Sequence, residues 1–332
     1  MKRLQVDGGF GLEHLKLVEL PEPEPGHGEI RLKMTAASLN YRDLATIQYG
    51  GHRLPLVPLS DGCGLVEAVG PGVTRVAVGD RVITQFFQGW HSGAPTAEGL
   101  ATALGGSLDG CLSEKLVLNQ EGVTKAPASL SDVEAACLPC AGLTAWRGLQ
   151  DGGLRSGDVV VVQGTGGVSI FALQFAKAAG ATVIATSSSD AKLERAKALG
   201  ADHLINYKTT PDWAKAVRKL TGGVGADNVI EVGGAGTLVQ SLNAVRVGGH
   251  IAVIGILAGI SQDVPVPLIF SKNARIGGIS VGSREMTEAM CRAIEANGIK
   301  PVVDKVLPFT DAVAALELMK GQSHFGKIAL SF

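Results

Sequence analysis

Residues 159–170 read Val-Val-Val-Val-Gln-Gly-Thr-Gly-Gly-Val-Ser-Ile, and this stretch decides the fold. The four valines form an apolar, β-branched run of the length expected for a buried parallel strand. Gly164, Gly166 and Gly167 follow, and apolar residues then recur at near-helical spacing as far as Ala179. A strand that turns through glycines into a helix brings backbone N–H groups and the positive helix end up to a phosphate. The stretch therefore predicts a phosphate-binding turn between a strand and a helix.

The residues after this turn continue the pattern of a dinucleotide-binding unit. Ser169 stands where the usual fingerprint has its third glycine, and it is small enough for close helix–sheet packing. A second apolar strand at 181–185 ends in polar residues, about twenty residues after the first glycine, where such a unit contacts the adenosine ribose. We therefore expect a dinucleotide cofactor. The residues expected at its phosphates are Gly164, Gly166, Gly167 and Val168.

The end of the second strand also bears on which dinucleotide binds. Ser187 and Ser188 are neutral donors at the position where an NAD-selective unit usually has a carboxylate. Lys192 follows closely, and a cation beside hydroxyl groups suits a 2′-phosphate, although Lys192 reads equally as part of a solvated helix face. Asp190 is the counter-evidence, and we interpret it as the N-cap of a helix that begins at Ala191. The pattern predicts NADP in preference to NAD.

Composition narrows the class of protein. The 332 residues carry a formal net charge of -1 with no basic stripe, so we expect no nucleic-acid partner. The first residues lack a signal-peptide core, and no apolar run approaches the length of a membrane span. Five scattered cysteines, an odd number, favour a reducing compartment over a disulfide framework. We therefore expect a cytoplasmic enzyme without a membrane partner.

The secondary-structure pattern changes near residue 128. The earlier part is β-like, with predicted strands at 15–20, 29–36, 64–69 and 80–84. From Ser131 strand and helix alternate, which predicts an α/β, doubly wound parallel sheet. Its predicted strands are 159–162, 183–185, 204–205, 229–231, 251–254 and 276–281. A tail with a helix near 311–319 and a strand at 327–330 resembles neither part.

Several motifs, in order and spacing, show that the chain resembles the medium-chain dehydrogenase/reductase superfamily nearly end to end. This superfamily contains zinc alcohol dehydrogenases and zinc-free quinone and enoyl reductases. The motifs are Ser38-Leu39-Asn40-Tyr41-Arg42-Asp43, Gly70-Pro71-Gly72-Val73, Val78-Gly79-Asp80-Arg81-Val82, Gly164-Thr165-Gly166-Gly167-Val168 and Val247-Gly248-Gly249-His250.

The resemblance implies a particular domain organisation. A GroES-like, β-rich catalytic domain is formed by residues 1–128 and 297–332, and a Rossmann domain of residues 129–296 is inserted into it. Family members commonly pair their sixth Rossmann strands into dimers, so the resemblance implies a homodimer through the strand at 276–281.

The resemblance also raises the question of zinc. Alcohol dehydrogenases of this superfamily hold a catalytic zinc with a Cys, a His-Glu pair and a later Cys. The matching positions here hold Asn40, then Ser60 and Asp61, and only Cys140 survives. One thiolate and one carboxylate fall short of the three protein ligands of the usual catalytic site. We interpret Cys140 as a small buried residue.

The sequence also lacks the ligands of a structural zinc site. Its lobe needs four closely spaced cysteines, and residues 85–115 contain only Cys111. His52 and His91 do not stand at ligand spacing. The sequence therefore predicts an enzyme without metal.

Without zinc, hydrogen-bond donors must stabilise the enolate that hydride transfer to an enone creates. Zinc-free reductases place Asn and Tyr side chains from this segment around the nicotinamide, which makes Asn40 a candidate donor and Tyr41 or Tyr49 a candidate acid. From the residues alone, Asn40 reads equally as a turn residue, and each tyrosine as a half-buried ring with its hydroxyl in water. Arg42 and Asp43 read as an adjacent ion pair that shapes the loop.

The resemblance implies further cofactor contacts outside the glycine turn. They lie at the helix that enters the Rossmann domain, after its third, fifth and sixth strands, and in the tail. These residues are Thr144, Tyr207, Gly255, Ile256, Val281, Ser283 and Lys327.

We therefore predict an NADPH-dependent, zinc-free reductase of quinones or α,β-unsaturated carbonyl compounds, with a small-molecule carbonyl substrate. Two alternatives stay open. One is an NADP-linked alcohol dehydrogenase, without zinc or with an unusual metal site built on Cys140 and Asp61. The other is a catalytically silent NADPH-binding protein.

Overall fold

The computed structural model describes residues 1–50 and 53–332, which form two compact units. The first unit comprises Met1–Leu143 and Val281–Phe332, and the second comprises Thr144–Ser280. The chain therefore leaves the first unit once and returns to it once.

The N-terminal part of the first unit is mostly β-structure, and each strand predicted there coincides with an observed one. Its elements are β1 (Lys2–Val6), β2 (Leu15–Glu19), β3 (Glu29–Ser38), α1 (Tyr41–Tyr49), β4 (Asp61–Val69), β5 (Arg81–Thr84), α2 (Ala97–Leu100), β6 (Lys115–Asn119), β7 (Val123–Lys125) and α3 (Asp132–Ala135). A single π-helical turn, Leu138–Gly142, follows them.

Strands and helices alternate in the second unit, as predicted. Its elements are α4 (Leu143–Asp151), β8 (Val159–Gln163), α5 (Gly167–Ala178), β9 (Thr182–Ser187), α6 (Asp190–Ala198), β10 (His203–Asn206), α7 (Trp213–Leu220), β11 (Ala226–Glu231), α8 (Leu238–Ala244), β12 (Val245–Val253), α9 (Pro267–Phe270) and β13 (Arg275–Gly278). The sixth strand ends three residues earlier than the sequence predicts.

The C-terminal part returns to the first unit. It contains α10 (Arg284–Asn297), β14 (Val303–Pro308), α11 (Ala312–Lys320) and β15 (Lys327–Ser331). The tail helix and tail strand predicted from the sequence are thus confirmed.

The sheet of the second unit has the strand order β10-β9-β8-β11-β12-β13, and every neighbouring pair is parallel. This is the doubly wound order of a dinucleotide-binding fold, so the predicted fold class is confirmed. Val161, Val229 and Ile251 are fully buried, because helices cover both faces of a parallel sheet. The run of four valines is therefore the central strand of the unit.

The sheet of the first unit has the order β14-β15-β3-β4-β5-β7, with β6 paired to β3. Strand β15 runs antiparallel to β3, and Ala329 lies opposite Ser38. This pairing explains why the tail belongs to the first unit. It also brings the start of β15 beside the residues that follow β3.

Residues 129–143 and 281–296, which the sequence assigns to the Rossmann domain, lie in the first unit. Side chains of α10 explain this placement. The Thr287 hydroxyl donates to Gln85 Oε1 at 2.8 Å, and Glu295 accepts the Ala128 N–H at 2.8 Å. Helix α10 is thus bonded to the β-rich unit.

Among the residues that the structure describes, no helix is long and apolar enough to cross a bilayer.

Candidate active site

The turn between β3 and α1 positions Asn40. Asn40 has extended backbone angles, and its side chain is buried. Its N–H donates to Asp43 Oδ2 at 2.8 Å, while the Asp43 N–H donates to the Asn40 carbonyl at 2.9 Å. A carboxylate in the first helical turn accepts the N–H of the residue before the helix, as in a capping box. Asp43 therefore fixes the turn that presents Asn40.

Lys327 reaches this turn from the first residue of β15. Its Nζ atom lies 2.6 Å from the Leu39 carbonyl and 2.6 Å from Asn40 Oδ1. Since an ammonium group only donates, the amide oxygen of Asn40 must face it. The amide nitrogen, Nδ2, is then buried and has no hydrogen-bond partner within residues 1–50 and 53–332. The sequence did not predict this contact, and the cofactor contact that the resemblance implies for Lys327 stays a prediction.

Asp61, at the start of β4, lies in the same place and is fully buried. Its Oδ1 accepts the Ser60 hydroxyl at 2.7 Å, and its Oδ2 accepts the Cys140 N–H at 3.2 Å. Lys327 Nζ is 3.9 Å from Asp61 Oδ2. We call Asn40, Asp61, Cys140 and Lys327 the lysine cluster. Three of the four positions that resemble zinc-ligand positions are therefore brought together around an ammonium group.

The lysine cluster does not fit a zinc ion. Burial raises the pKa of the Cys140 thiol, the Asp61 charge raises it further and the Lys327 ammonium opposes both, whereas zinc binds thiolate. In the described part of the chain, no group of three His, Cys, Asp or Glu residues is placed to hold a metal. His52 lies outside the described residues. The Lys327 ammonium group lies among the side chains that would have to coordinate a metal ion.

The charges around the lysine cluster are balanced by side chains. Burial raises the pKa of the Asp43 carboxyl to about 6, and the Arg42 guanidinium opposes this shift. The predicted ion pair is confirmed, with Arg42 Nη1 at 3.2 Å from Asp43 Oδ1. Asp43 and Asp61 thus face Arg42 and Lys327, and an added divalent cation would leave excess positive charge in a buried place.

The two candidate acids occupy opposite ends of α1. Tyr41 is its first residue and is 42% exposed, and Tyr49 is its last and is 80% exposed. Tyr49 lies eight positions after Tyr41, which places the two about 12 Å apart along the helix axis. Only Tyr41 directly adjoins Asn40.

The predicted glycine turn connects β8 to α5. Gly164 has a φ of 72°, in the region that favours glycine, and Gly166 precedes the helix as its N-cap. A Cβ atom added at either glycine would meet nothing within 4 Å. Gly167 and Val168 form the first helical turn, with its N–H groups and positive helix end. This open, electropositive cradle fits a phosphate group.

The residues predicted at the ribose end are also brought together. Ser187 is buried at the end of β9, and its carbonyl accepts the Tyr207 N–H at 3.0 Å. Ser188 follows Ser187, and Lys192 lies in the first turn of α6. These residues lie at the carboxyl end of the sheet, where the Ser187 hydroxyl accepts the Ser189 N–H at 3.3 Å.

Our interpretation of Asp190 is wrong. Helix α6 begins at Asp190, and the Ser189 side chain caps it by accepting the Lys192 N–H at 3.4 Å. Serine and aspartate are about equally good caps, so the sequence alone could not place the boundary. Asp190 Oδ1 instead accepts Asn206 Nδ2 at 2.7 Å.

The other predicted cofactor residues in the second unit lie at two strand and helix boundaries. Thr144 is buried in the first turn of α4. Gly255 follows β12, and a Cβ added there would lie 2.3 Å from the Val232 carbonyl oxygen, so only glycine fits. Ile256, the next residue, is 51% exposed.

Val281 and Ser283 lie in the first unit, just before α10. Val281 has a φ of 49°. Ser283 is fully buried and caps α10, with its Oγ accepting the Met286 N–H at 3.3 Å. Its hydroxyl therefore already stabilises a helix end.

Sequence reasoning missed two polar residues in the second unit. Gln163 ends β8 and Glu231 ends β11, and Gln163 Nε2 donates to Glu231 Oε2 at 2.7 Å. Each is a polar residue at the end of a buried apolar strand, and this pattern in the sequence could have identified both.

Comparisons with known proteins agree with this architecture. The family described as alcohol dehydrogenase GroES-like domain matches residues 26–128, and the zinc-binding dehydrogenase family matches residues 167–296. A zinc-type alcohol dehydrogenase-like protein of Schizosaccharomyces pombe is 47% identical over 332 residues, covering 96% of each chain. A 2-haloacrylate reductase of Burkholderia sp. is 32% identical, covering 94% of this chain and 93% of the relative. An acryloyl-coenzyme A reductase of Sulfurisphaera tokodaii is 30% identical over 99% of both chains.

Solved structures give the same result. A Sinorhizobium meliloti protein described as a candidate alcohol dehydrogenase has a TM-score of 0.93 and 47% identity, covering 100% of this chain and 99% of its own. An NAD-dependent alcohol dehydrogenase has a TM-score of 0.91 at 38% identity, with complete coverage of both chains. A mycobacterial protein in complex with NADPH has a TM-score of 0.85 at 29% identity, again with complete coverage.

The strand order, the glycine turn and these matches over the whole chain lead to one conclusion. This protein belongs to the medium-chain dehydrogenase/reductase superfamily, as an oxidoreductase with a GroES-like domain and a Rossmann domain of the type that binds nicotinamide cofactors.

Proposed function

We propose that this protein is an NADPH-dependent, zinc-free reductase of quinones or α,β-unsaturated carbonyl compounds. The observation that carries the proposal is the contact of Lys327 Nζ with Asn40 Oδ1 at 2.6 Å. A fixed ammonium group supplies positive charge where related alcohol dehydrogenases use a metal. The similarity to reductases of haloacrylate and acryloyl-coenzyme A supports the same substrate class.

The side chains of the first unit suit a substrate oxygen that becomes negative. When bound, the reduced nicotinamide supplies a hydride to the β-carbon of an enone. Asn40 Nδ2 is the donor we assign to the substrate oxygen, because this buried group has no protein partner among the described residues. The Lys327 ammonium polarises the amide from its other side. Tyr41, the next residue after Asn40, is our candidate for the proton donor.

We propose NADP as the cofactor because the ribose end of the second unit offers hydroxyl groups and a cation. Ser187, Ser188 and Lys192 would hold the 2′-phosphate, with Tyr207 beside them. The Asp190 carboxylate accepts the Asn206 amide, so one of its hydrogen-bonding positions is already used. Gly164, Gly166 and the first turn of α5 would hold the pyrophosphate.

NADPH oxidation by the purified protein tests this proposal. A panel of quinones and enones is compared with a panel of primary alcohols supplied with NADP. We expect turnover with quinones or enones and none above background with alcohols. Oxidation of alcohols alone would contradict the proposal, and NADPH binding without turnover of either panel would favour a silent nucleotide-binding protein.

An NADP-linked alcohol dehydrogenase, without zinc or with an unusual metal site, is the second candidate, and the proximity of two residues at positions that resemble zinc-ligand positions favours it. Cys140 and Asp61 lie together, with the Cys140 N–H at 3.2 Å from Asp61 Oδ2. Displacement of the Lys327 ammonium would leave these two residues as the start of a metal site. Loss of alcohol oxidation on chelation, with recovery on added zinc, would establish this candidate.

We also propose a homodimer through β13. This strand is the edge of the six-stranded sheet, and Ile276 in it is 40% exposed. An unpaired edge with apolar side chains favours pairing with a second copy. Sedimentation velocity should give twice the chain mass for the wild type and a monomer for Ile276→Glu, whereas Val224→Glu, at another exposed apolar position, should stay dimeric. A monomeric wild type would refute the dimer.

A further inference from the structure

The Glu231 carboxyl group is fully buried at the carboxyl end of β11, and the five groups that donate to it among the described residues are all neutral. Acidic side chains are almost never fully buried without such partners, because water must be replaced by donors. The donors are Gln163 Nε2 at 2.7 Å, Thr237 Oγ1 at 2.5 Å, Gly233 N at 2.8 Å, Gly234 N at 3.0 Å and Ser241 Oγ.

Gln163 connects this carboxyl group to the glycine turn. Gln163 is the residue before Gly164, and its carbonyl accepts the Ser169 hydroxyl of α5 at 2.5 Å. Its side-chain Nε2 donates to Glu231, and its Oε1 accepts the Val232 N–H at 3.3 Å. Both amide atoms are used, so the orientation of Gln163 is determined by Glu231.

The residues after β12 form backbone hydrogen bonds with the segment that contains Glu231. The Glu231 carbonyl accepts the Ile254 N–H at 2.9 Å, and the Gly233 carbonyl accepts the Ala258 N–H at 2.7 Å. Gly234 has a φ of 77° and leaves no room for a side chain, since an added Cβ would lie 2.8 Å from the Gly255 oxygen. The Glu231 side chain therefore joins the carboxyl ends of β8 and β11. Backbone carbonyls of Glu231 and Gly233 bond the residues after β12.

We infer that Glu231 is a positioning residue for dinucleotide binding. It holds Gln163, and through it the glycine turn, in the shape that receives the cofactor phosphates, while its bonds to Gly233 and Gly234 hold the neighbouring loop. Ligands of doubly wound sheets bind at the carboxyl ends of the strands, where these three loops lie. The inference rests on the proposed NADPH binding and is independent of the substrate class.

The replacement Glu231→Gln tests the role with little change in shape. Its amide nitrogen would face a donor, either from the backbone of Gly233 and Gly234 or from a hydroxyl group, so the network must rearrange. We expect NADPH to bind about tenfold more weakly, as measured by nicotinamide fluorescence, because disrupting one buried hydrogen bond has this order of effect on an equilibrium. KM for NADPH should rise in the same proportion, with kcat at saturating NADPH nearly unchanged.

Val229→Ala is the matched control, because Val229 is fully buried on the same strand and bonds none of these side chains. It should lower Tm by a similar amount and leave the Kd of NADPH within about twofold of the wild type, since it creates a cavity and not a broken network. Where Glu231→Gln fails to fold, Thr237→Val removes one donor and Thr237→Ser retains it. We then expect weaker binding only for Thr237→Val.

Wild-type-like NADPH binding by Glu231→Gln, or equal weakening by Val229→Ala at an equal loss of Tm, would overturn the positioning role alone. A wild-type protein that binds no NADPH would overturn both this inference and the proposed function.

Discussion

Lys327 Nζ lies 2.6 Å from Asn40 Oδ1, although the two residues are 287 positions apart in the chain. The antiparallel pairing of β15 with β3 creates this contact. It has two consequences. The ammonium group supplies a positive charge at the positions that resemble zinc-ligand positions, and it orients the Asn40 amide with Nδ2 away from it.

Lys327→Met should destabilise the first unit. Lys327 is 3% exposed, and its loss removes the ion-pair partner of the buried Asp61, which costs about 3 kcal/mol in comparable buried pairs. Urea unfolding measures the change, with Lys305→Met on the exposed side of β14 as the control, expected within about 0.5 kcal/mol of the wild type. Equal effects of the two replacements would argue against an internal counter-cation.

Tyr41→Phe should lower kcat for enone reduction by about 100-fold, the lower range for loss of a general acid. Tyr49→Phe, at the far end of α1 and 80% exposed, should leave kcat within about twofold of the wild type. Steady-state kinetics at saturating NADPH separates the two. The opposite ranking would transfer the proton donor to Tyr49, and no effect of either would remove tyrosine from the mechanism.

Lys192→Ala should reduce the preference for NADPH over NADH by about tenfold, since one charge-assisted hydrogen bond to a phosphate is lost. The Kd of NADH should change little, because NADH has no 2′-phosphate. Lys197→Ala, in the last turn of the same helix, provides the control for net charge. A uniform loss of affinity for both cofactors would mean that Lys192 stabilises the fold and does not select the cofactor.

His250 should make the protein less stable in acid. Burial lowers the pKa of this imidazole, the Arg275 charge lowers it further and Asp151 opposes the shift. Below the unfolded-state pKa of about 6.5, the unfolded chain takes up a proton that the native state resists, so the free energy of unfolding falls as the pH falls.

The measurement is urea unfolding from pH 7.5 to pH 5.5 in the wild type and in His250→Gln. The stability difference between the two proteins should shift in favour of the variant as the pH falls, by at most about 1.4 kcal/mol per pH unit for one proton. A difference that does not depend on pH would show that His250 titrates alike in both states.

The features that the sequence predicted correctly are local. The glycine turn was predictable because a buried strand, small residues and an amphipathic helix follow one another directly, as in residues 159–179. The alternation of strand and helix then fixed the doubly wound sheet. Ser187 was predicted from the end of the second strand, whereas Tyr207 was implied by the family resemblance. The structure brings the two together because consecutive parallel strands end at the same edge of a sheet.

The features that the sequence did not predict depend on pairing between strands that are far apart in the chain. Nothing near Lys327 indicates that it contacts Asn40, because the contact requires the register of β15 on β3. The Gln163–Glu231 pair likewise requires β8 and β11 to be neighbours in the sheet. The wrong cap at Asp190 has another origin, since two adjacent residues have similar capping propensity.

The most direct test of the account is NADPH-dependent enone reduction by protein that has been treated with EDTA and assayed for metal content. The lysine cluster predicts full activity with less than stoichiometric metal, since Lys327 provides the positive charge. Activity that is lost on chelation and restored by zinc would contradict the account and would make Cys140 and Asp61 metal ligands.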